Sequence, residues 1–147
     1  MINNLLSALG AFFCITALAY ISFLDKTNLW LIPPFGATMV LVMAVHDSPL
    51  ASPKNIFLGH TLSALSGVII YMLLGMSPIS IGIAVALSVW VMATTNNIHP
   101  PAGANPIIAI LGGEGFDFIL MPVALGSIFI VIFAIFYNRL LKRDYYI

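Results

Sequence analysis

The sequence predicts an all-α integral membrane protein built as a 3+3 internal repeat, inverted in the membrane, of long helices flanking proline-broken half-helix segments. Three observations predict it: a composition unsuited to water, apolar runs of membrane-crossing length, and two matching Pro-Pro-x-Gly-Ala segments, Pro33 to Ala37 and Pro100 to Ala104.

Of 147 residues, 61% are hydrophobic and 7% are charged, whereas a soluble domain carries about 25% charged residues to solvate its surface. The charged residues, Asp25, Lys26, Asp47, Lys54, Glu114, Asp117, Arg139, Lys142, Arg143 and Asp144, avoid the middles of the long apolar runs and so mark loops. Net charge is zero, and no basic patch carries interleaved aromatics, which excludes a nucleic-acid-binding role. Cys14 is the single cysteine, so an internal disulfide and a cysteine-based metal site are excluded. The N-terminal flank, Met1 to Asn4, has no Lys or Arg and the run after it exceeds a signal core, so a retained helix is expected in place of a cleaved signal.

Crossing a hydrocarbon core of about 30 Å takes about 20 apolar residues at 1.5 Å each. Leu5 to Leu24, Ile56 to Met76 and Phe118 to Tyr137 meet that length, and Ile79 to Ala93 lies near the lower limit. Two further apolar stretches are interrupted: Leu29 to Val45 by Pro33, Pro34 and Gly36, and Thr95 to Leu111 by Pro100, Pro101, Gly103 and Pro106. Proline lacks an amide donor, suits the first helical turn and pushes its predecessor toward extended geometry. Each stretch therefore reads as an extended piece followed by a half-helix starting at the prolines.

At an offset of 67 residues, Pro33 to Thr38 (PPFGAT) aligns with Pro100 to Asn105 (PPAGAN), Asp47 with Glu114, and Leu58-Gly59 with Leu125-Gly126. Each half then has the order long helix, broken segment, long helix, giving a single transmembrane domain over 1–147 with repeats at about 5–76 and 78–138. With three crossings per half, the second half is inverted. With re-entrant segments, the halves are parallel. Lys and Arg favour the cytoplasmic side. Six crossings with both termini inside place Lys54, Arg139, Lys142 and Arg143 there and only Lys26 outside, whereas four crossings leave three against two. The inverted arrangement fits better.

Irregular backbone at membrane depth is tolerated only where protein or a water-filled cavity surrounds it. Paired broken helices in transporters present their N-termini to an anionic group. The expected site is therefore lined by Gly36, Ala37 and Thr38 and by Gly103, Ala104 and Asn105, whose amides sit at helix starts. Asn96, Asn97 and His99 stand just upstream of the second motif. Glycine and proline can also serve helix packing and kinking alone. His99, at membrane depth, is expected to act as a ligand or in proton transfer. His60 reads as a packing histidine and His46 as a solvated one. Asp47 and Glu114 read as loop carboxylates at helix ends that the dipole does not favour. No catalytic signature appears, so an enzyme is not expected, nor is any cofactor or bound metal.

The run TTNNIHPPAGANPIIAILGG, Thr94 to Gly113, resembles the signature of the HPP family of small integral membrane proteins, with the motif at His99-Pro100-Pro101. The stretch from Pro33 to His60 is similar to the family's other characteristic segment. The resemblance implies a four-helix description, with plant-plastid and cyanobacterial relatives linked to nitrite transport. A bacterial or cyanobacterial inner-membrane protein with cytoplasmic termini is expected, transporting a small inorganic anion, nitrite by preference. The competing readings are a passive channel for a small solute or anion and a nontransporting scaffold. A chain of this length has little protein with which to shield a polar site from lipid, so a homodimer or homotrimer is expected.

Overall fold

The computed structural model describes residues 2–25 and 30–146. Met1, Lys26, which enters the charge count, and Leu29, where the first broken stretch begins, lie outside the described residues. The described residues are all helical or irregular, with no strand among them. Six helices follow in order: α1 Ile2–Leu24, α2 Pro33–Ala44, α3 Pro53–Leu74, α4 Pro78–Thr94, α5 Asn105–Gly112 and α6 Phe116–Leu140. Helices α1, α3 and α6 are long and apolar enough to cross a membrane, and α4 at 17 residues is shorter.

The helix starts follow from local chemistry. Prolines open α2, α3 and α4, where a missing amide costs nothing because the first turn has no partner for it. Ser52 and Ser77 cap α3 and α4, Ser77 reciprocally with Ser80. Helix α4 stops in a Schellman arrangement, with Asn96 at φ 55 and bonds Asn97 N–H to Met92 O, 2.9 Å, and Asn96 N–H to Ala93 O, 3.3 Å. Asparagine tolerates that left-handed conformation better than most residues, so Asn96 is a terminator here. Helix α6 bends at Met121, whose φ/ψ is extended, next to Pro122.

The two broken stretches take the expected form at their starts. Ile32 and His99 are extended, and a short helical segment follows each. The segment from Trp30 to Ala44 runs antiparallel to α1 along most of its length. Trp30 N–H bonds Ser22 Oγ at one end, 2.8 Å, Gly36 and Ile15 border one cavity between, and Ser7 Oγ–H bonds Met43 O at the other, 2.7 Å. The second segment runs parallel to α3. Asn105 lies at His60 and Ser63, Pro106 and Ala109 at Gly67, and Gly113 at Tyr71. Helix α6 closes the bundle alongside α2, with Gly126 against the Phe35 ring, Asn138 Nδ2–H bonding Val42 O at 3.0 Å and Tyr137 O–H bonding Leu6 O at 2.7 Å.

Helix α3 is the centre: half of its apolar span is buried, against 17% for α1. Small residues at a four-residue interval, Gly59, Ser63 and Gly67, let the second segment lie flat on it. A Cβ at Gly67 would sit 2.6 Å from the Pro106 Cα. The main core joins Cys14, Leu18, Phe35, Met39, Val42, Val68, Ala109 and Ile130. Outward-facing Phe12, Phe13, Phe23, Leu73, Ile79, Trp90, Ile132 and Phe136 are exposed. That apolar exterior is what a bilayer accepts and water does not. The C-terminal tail returns to the α2–α3 loop, where Tyr145 O–H bonds Ala51 O at 2.9 Å and burial pushes its phenol pKa up.

Candidate functional site

A group of buried polar residues of this apolar bundle gathers where the two proline segments meet α3. Thr38, His60, Ser63, His99 and Asn105 are all fully buried. Thr38 Oγ1 lies 2.9 Å from His60 Nε2 and 2.9 Å from His99 Nε2, so one hydroxyl joins two imidazoles. The rings stand 4.9 Å apart at 62°. His60 also meets the edge of Phe35, 5.3 Å between centroids. Asn105 Nδ2 is 3.0 Å from His60 Nδ1, 3.0 Å from His60 O and 2.9 Å from Ser63 Oγ.

The ends of this chain fix its direction. Leu50 O, 2.8 Å from His99 Nδ1, can only accept, so Nδ1 carries the proton and a neutral His99 accepts at Nε2. His60 O accepts from Ser63 Oγ–H at 3.0 Å and cannot face another acceptor, so the Asn105 amide presents Nδ2, whose N–H also donates to His60 Nδ1. His60 Nε2 is then the donor to Thr38, and Thr38 O–H donates onward to His99. The alternative acceptor for that hydroxyl, Pro34 O, is farther at 3.2 Å. Asn105 Oδ1 is buried and has no hydrogen-bond partner, which is uncommon for a group that costs about 1–3 kcal/mol to leave unpaired.

Of the residues expected to line a site, the structure brings Thr38, His99 and Asn105 together. Asn97 is buried beside them, its carbonyl against Gly59, its Nδ2–H bonding Thr95 O at 2.9 Å and its Oδ1 unpaired. Gly36 and Ala37 are exposed on the side of α2 away from Thr38, Gly103 and Ala104 are half-buried, and Asn96 is exposed in its turn. Pro34 and Pro101 are buried, and Pro33 and Pro100 are exposed. Two prolines occupy positions where free amides would stand, and the next amides turn inward, Phe35 N–H to Ile32 O at 3.0 Å and Ala102 N–H to His99 O at 3.0 Å.

His60 is the residue that sequence reading passed over. It bridges both segments, although a packing histidine was expected there. The signal was present in the face formed with Gly59, Ser63 and Gly67, where a polar side chain among small residues faces a close neighbour. His46 is half-buried, with Nδ1 3.0 Å from Asp144 O. Among the described residues, no group of three or more His, Cys, Asp or Glu side chains is placed to hold a metal ion.

Apolar helices around a buried polar centre define a multi-pass membrane protein. The HPP transmembrane-region model matches residues 1–146, and the chain belongs to the HPP family. It is similar to two transmembrane proteins of Dictyostelium discoideum, one 35% identical over 94% of this chain and 52% of its own, the other 34% identical over 95% and 49%. The chain thus spans about half the length of these curated relatives. No solved structure matches it.

Proposed function

We propose that this protein is a transporter of a small inorganic anion, nitrite by preference, whose path passes between the two proline segments at Thr38, Asn105 and His99. The observation that carries the reading is the fully buried cluster of Thr38, His60, Ser63, His99 and Asn105 on which both segments converge. Polar groups buried in an apolar bundle stabilise it less than apolar packing would, so their concentration at one point argues for a task other than cohesion. Anion preference rests on residue type: the cluster offers hydroxyl, amide and imidazole groups and contains no carboxylate. Nitrite is the substrate that the family resemblance implies. The protein performs no covalent chemistry in this reading.

The path of the chain supports six crossings. If α1 rises, the Trp30–Ala44 segment descends beside it, α3 rises, α4 descends, the Pro100–Gly112 segment rises with α3, and α6 descends. Three crossings per half make the second half inverted, and equivalent contacts support that relation. A Cβ at Gly59 would meet Asn97 O at 3.2 Å, and one at the matching Gly126 would meet Trp30 O at 3.4 Å, 67 residues before Asn97. Each glycine thus abuts the broken segment of the other half. Lys54, Arg139, Lys142 and Arg143 gather at the end that holds both termini, where Arg143 donates to Asn3 O, so that end faces the cytoplasm. A homodimer or homotrimer is part of this reading on the strength of the exposed apolar exterior, since one chain already buries the cluster.

The test is uptake of nitrite and nitrate into proteoliposomes, with and without a proton gradient. Uptake above protein-free vesicles is expected for nitrite. Movement of neither ion under either condition would overturn the substrate reading.

A further inference from the structure

We propose that the groove between α1 and the Trp30–Ala44 segment is a binding site for one anionic phospholipid, with its phosphate at the end of the bundle where α1 begins and one acyl chain lying along the two helices. The inference requires only that the chain is embedded in a bilayer, and it holds whatever the cargo is. Helix α1 is the least covered of the three long spans, with 17% of its apolar window buried, and a row of cavities lines the side it shares with α2. The first, of about 500 Å³, is bordered by Asn3, Asn4, His46, Lys142, Arg143 and Asp144. It shares Asn4, Ser7, Met43 and Ala44 with a second, which runs on past Ala8, Ala11 and Val40 to Gly36. Gly36 also borders a third, with Ile15 and Pro33, and Leu31 joins that one to a fourth at Ala19 and Phe23. The row thus changes from charged and amide groups at one end to small and apolar groups over the rest, as a phospholipid itself does.

Each part has the chemistry its occupant needs. Arg143 spends two of its five N–H groups on Met43 O at 3.1 Å and Asn3 O at 2.9 Å, and among the described residues the other three have no acceptor. Carbonyls at the end of α2 would repel a phosphate, but Met43 O is covered by Ser7 Oγ–H and Arg143, and Val42 O by Asn138. The start of α1, at Asn3 and Asn4, favours a negative group. His46 donates its Nδ1 proton to Asp144 O at 3.0 Å, which leaves Nε2 to accept from a headgroup hydroxyl. Arg143 and Lys142 set against Asp144 leave a single positive charge, the complement of one phosphodiester. Along the groove the polar atoms are already paired, Ser7 Oγ–H with Met43 O and Ser22 Oγ with Trp30 N–H, so its floor is apolar. From Ala8 to Phe23 α1 rises about 22 Å at 1.5 Å per residue, more than the about 15 Å of one leaflet, so a full acyl chain fits lengthwise. A Cβ at Gly36 would meet nothing within 4 Å. A second copy in the same membrane orientation would bring its own Arg143 and Lys142 to the same depth, where like charges repel, whereas lipid phosphates at that depth attract them.

The experiment purifies the full chain in mild detergent, equilibrates it with equal amounts of phosphatidylglycerol, phosphatidylethanolamine and phosphatidylcholine carrying the same acyl chains, and reads the retained lipid by native mass spectrometry. Wild type should retain phosphatidylglycerol about fivefold or more over either other lipid, the worth of about one basic residue at a headgroup. Equal retention of all three, or preference for another, overturns the proposal. Lys142→Gln combined with Arg143→Gln should lose the preference, and Ala8→Phe, which fills an exposed stretch of the groove, should lose the lipid. Wild-type retention in either folded protein overturns the site. Two other occupants give their own signs, and each overturns the lipid. Inorganic phosphate that displaces the lipid and binds wild type and Ala8→Phe alike marks a site for free phosphate, and loss of a dimer in Ala8→Phe with lipid retention unchanged assigns the groove to a second copy. A second measurement needs no variant: phosphatidylglycerol with a photoreactive group in its acyl chain should label α1 and the Trp30–Ala44 segment about fivefold above α4. Equal labelling of α4 overturns the proposal. Nitrite uptake enters none of these readouts, so the substrate reading and the lipid site fail separately.

Discussion

The two Pro-Pro-x-Gly-Ala segments begin alike and then diverge. The first runs as one α-helix from Pro33 to Ala44, while the second makes a five-residue 3₁₀ turn, Pro100–Ala104, before an eight-residue α-helix. The cause is a third proline. Pro106 has no amide to donate to Ala102 O, so Asn105 N–H takes that acceptor by the tighter i to i+3 bond. The first segment has Met39 at the matching position and meets no such interruption. The extended residue ahead of the prolines differs as well. Ile32 is buried among apolar side chains, whereas His99 is buried on a hydroxyl and a carbonyl. One segment thus supplies packing and a hydroxyl, and the other supplies the ring and the amide. The two Pro-Pro-x-Gly-Ala segments contribute different groups, and His60 of α3 contacts both.

The largest effect expected from breaking this division is at Gly59. A side chain there meets His99 Cβ at 2.7 Å and the Asn97 carbonyl at 3.2 Å, both held by backbone. Gly59→Val should cost about 3 kcal/mol or more, at the upper end for an overpacked core, and should separate His99 from Thr38. Gly126→Val presses on the Phe35 ring and Trp30 O and should cost a comparable amount without touching a histidine. Thermal unfolding in detergent reads the stability of both, and histidine nitrogen-15 spectra read the second consequence. A Gly126→Val protein that disturbs His99 as strongly as Gly59→Val does would refute the asymmetry between the segments.

The next effects separate the two polar contributions. Asn105 Nδ2 lies within 3.0 Å of three polar atoms on α3 and has two N–H groups to share among them, and Asn105→Leu should cost about 2 kcal/mol by leaving buried acceptors unpaired. Thr38→Val retains volume and removes one hydroxyl. Interhelical hydrogen bonds in bilayers average about 0.6 kcal/mol, so a loss of about 1 kcal/mol is expected. Ranked unfolding temperatures of the two variants check this order. The reverse order would mean that the first segment, not the second, anchors the cluster.

Much of this arrangement was legible in the sequence. Charge-free runs located α1, α3, α4 and α6, because lipid tolerates few exceptions along a span, and the prolines located both short helices, because φ and the missing amide leave little choice. Thr38 and Asn105 were legible through the 67-residue offset, and His99 through its place at membrane depth just before Pro100. What was not legible depended on distance in three dimensions. His60 has Ser127 at the matching position and no motif around it, and only the packing of both segments on α3 reveals it as the bridge. Prolines at the first two helical positions of each segment also leave fewer free amides than a helix start otherwise offers. Gly36 and Ala37 sit beside Thr38 in sequence, yet helical rotation of about 100° per residue turns them outward.

The smallest effects are expected at the glycines that define the motif. A Cβ at either Gly36 or Gly103 meets nothing within 4 Å, in contrast to Gly59, Gly67 and Gly126. Gly36 lies within a regular helix, where alanine is favoured over glycine by about 0.5–1 kcal/mol, so Gly36→Ala should hold or slightly raise the unfolding temperature. Gly103 lies in the 3₁₀ turn, where the gain should be smaller. A scaffold whose glycines served close helix packing would lose stability at both positions. Unchanged folding with impaired nitrite uptake would instead mean that the space beside these glycines is used by something other than this chain, a passing solute or a second copy. Uptake and oligomeric state measured on the same two variants tell these apart: a solute path loses uptake with the assembly intact, and a subunit contact loses the assembly.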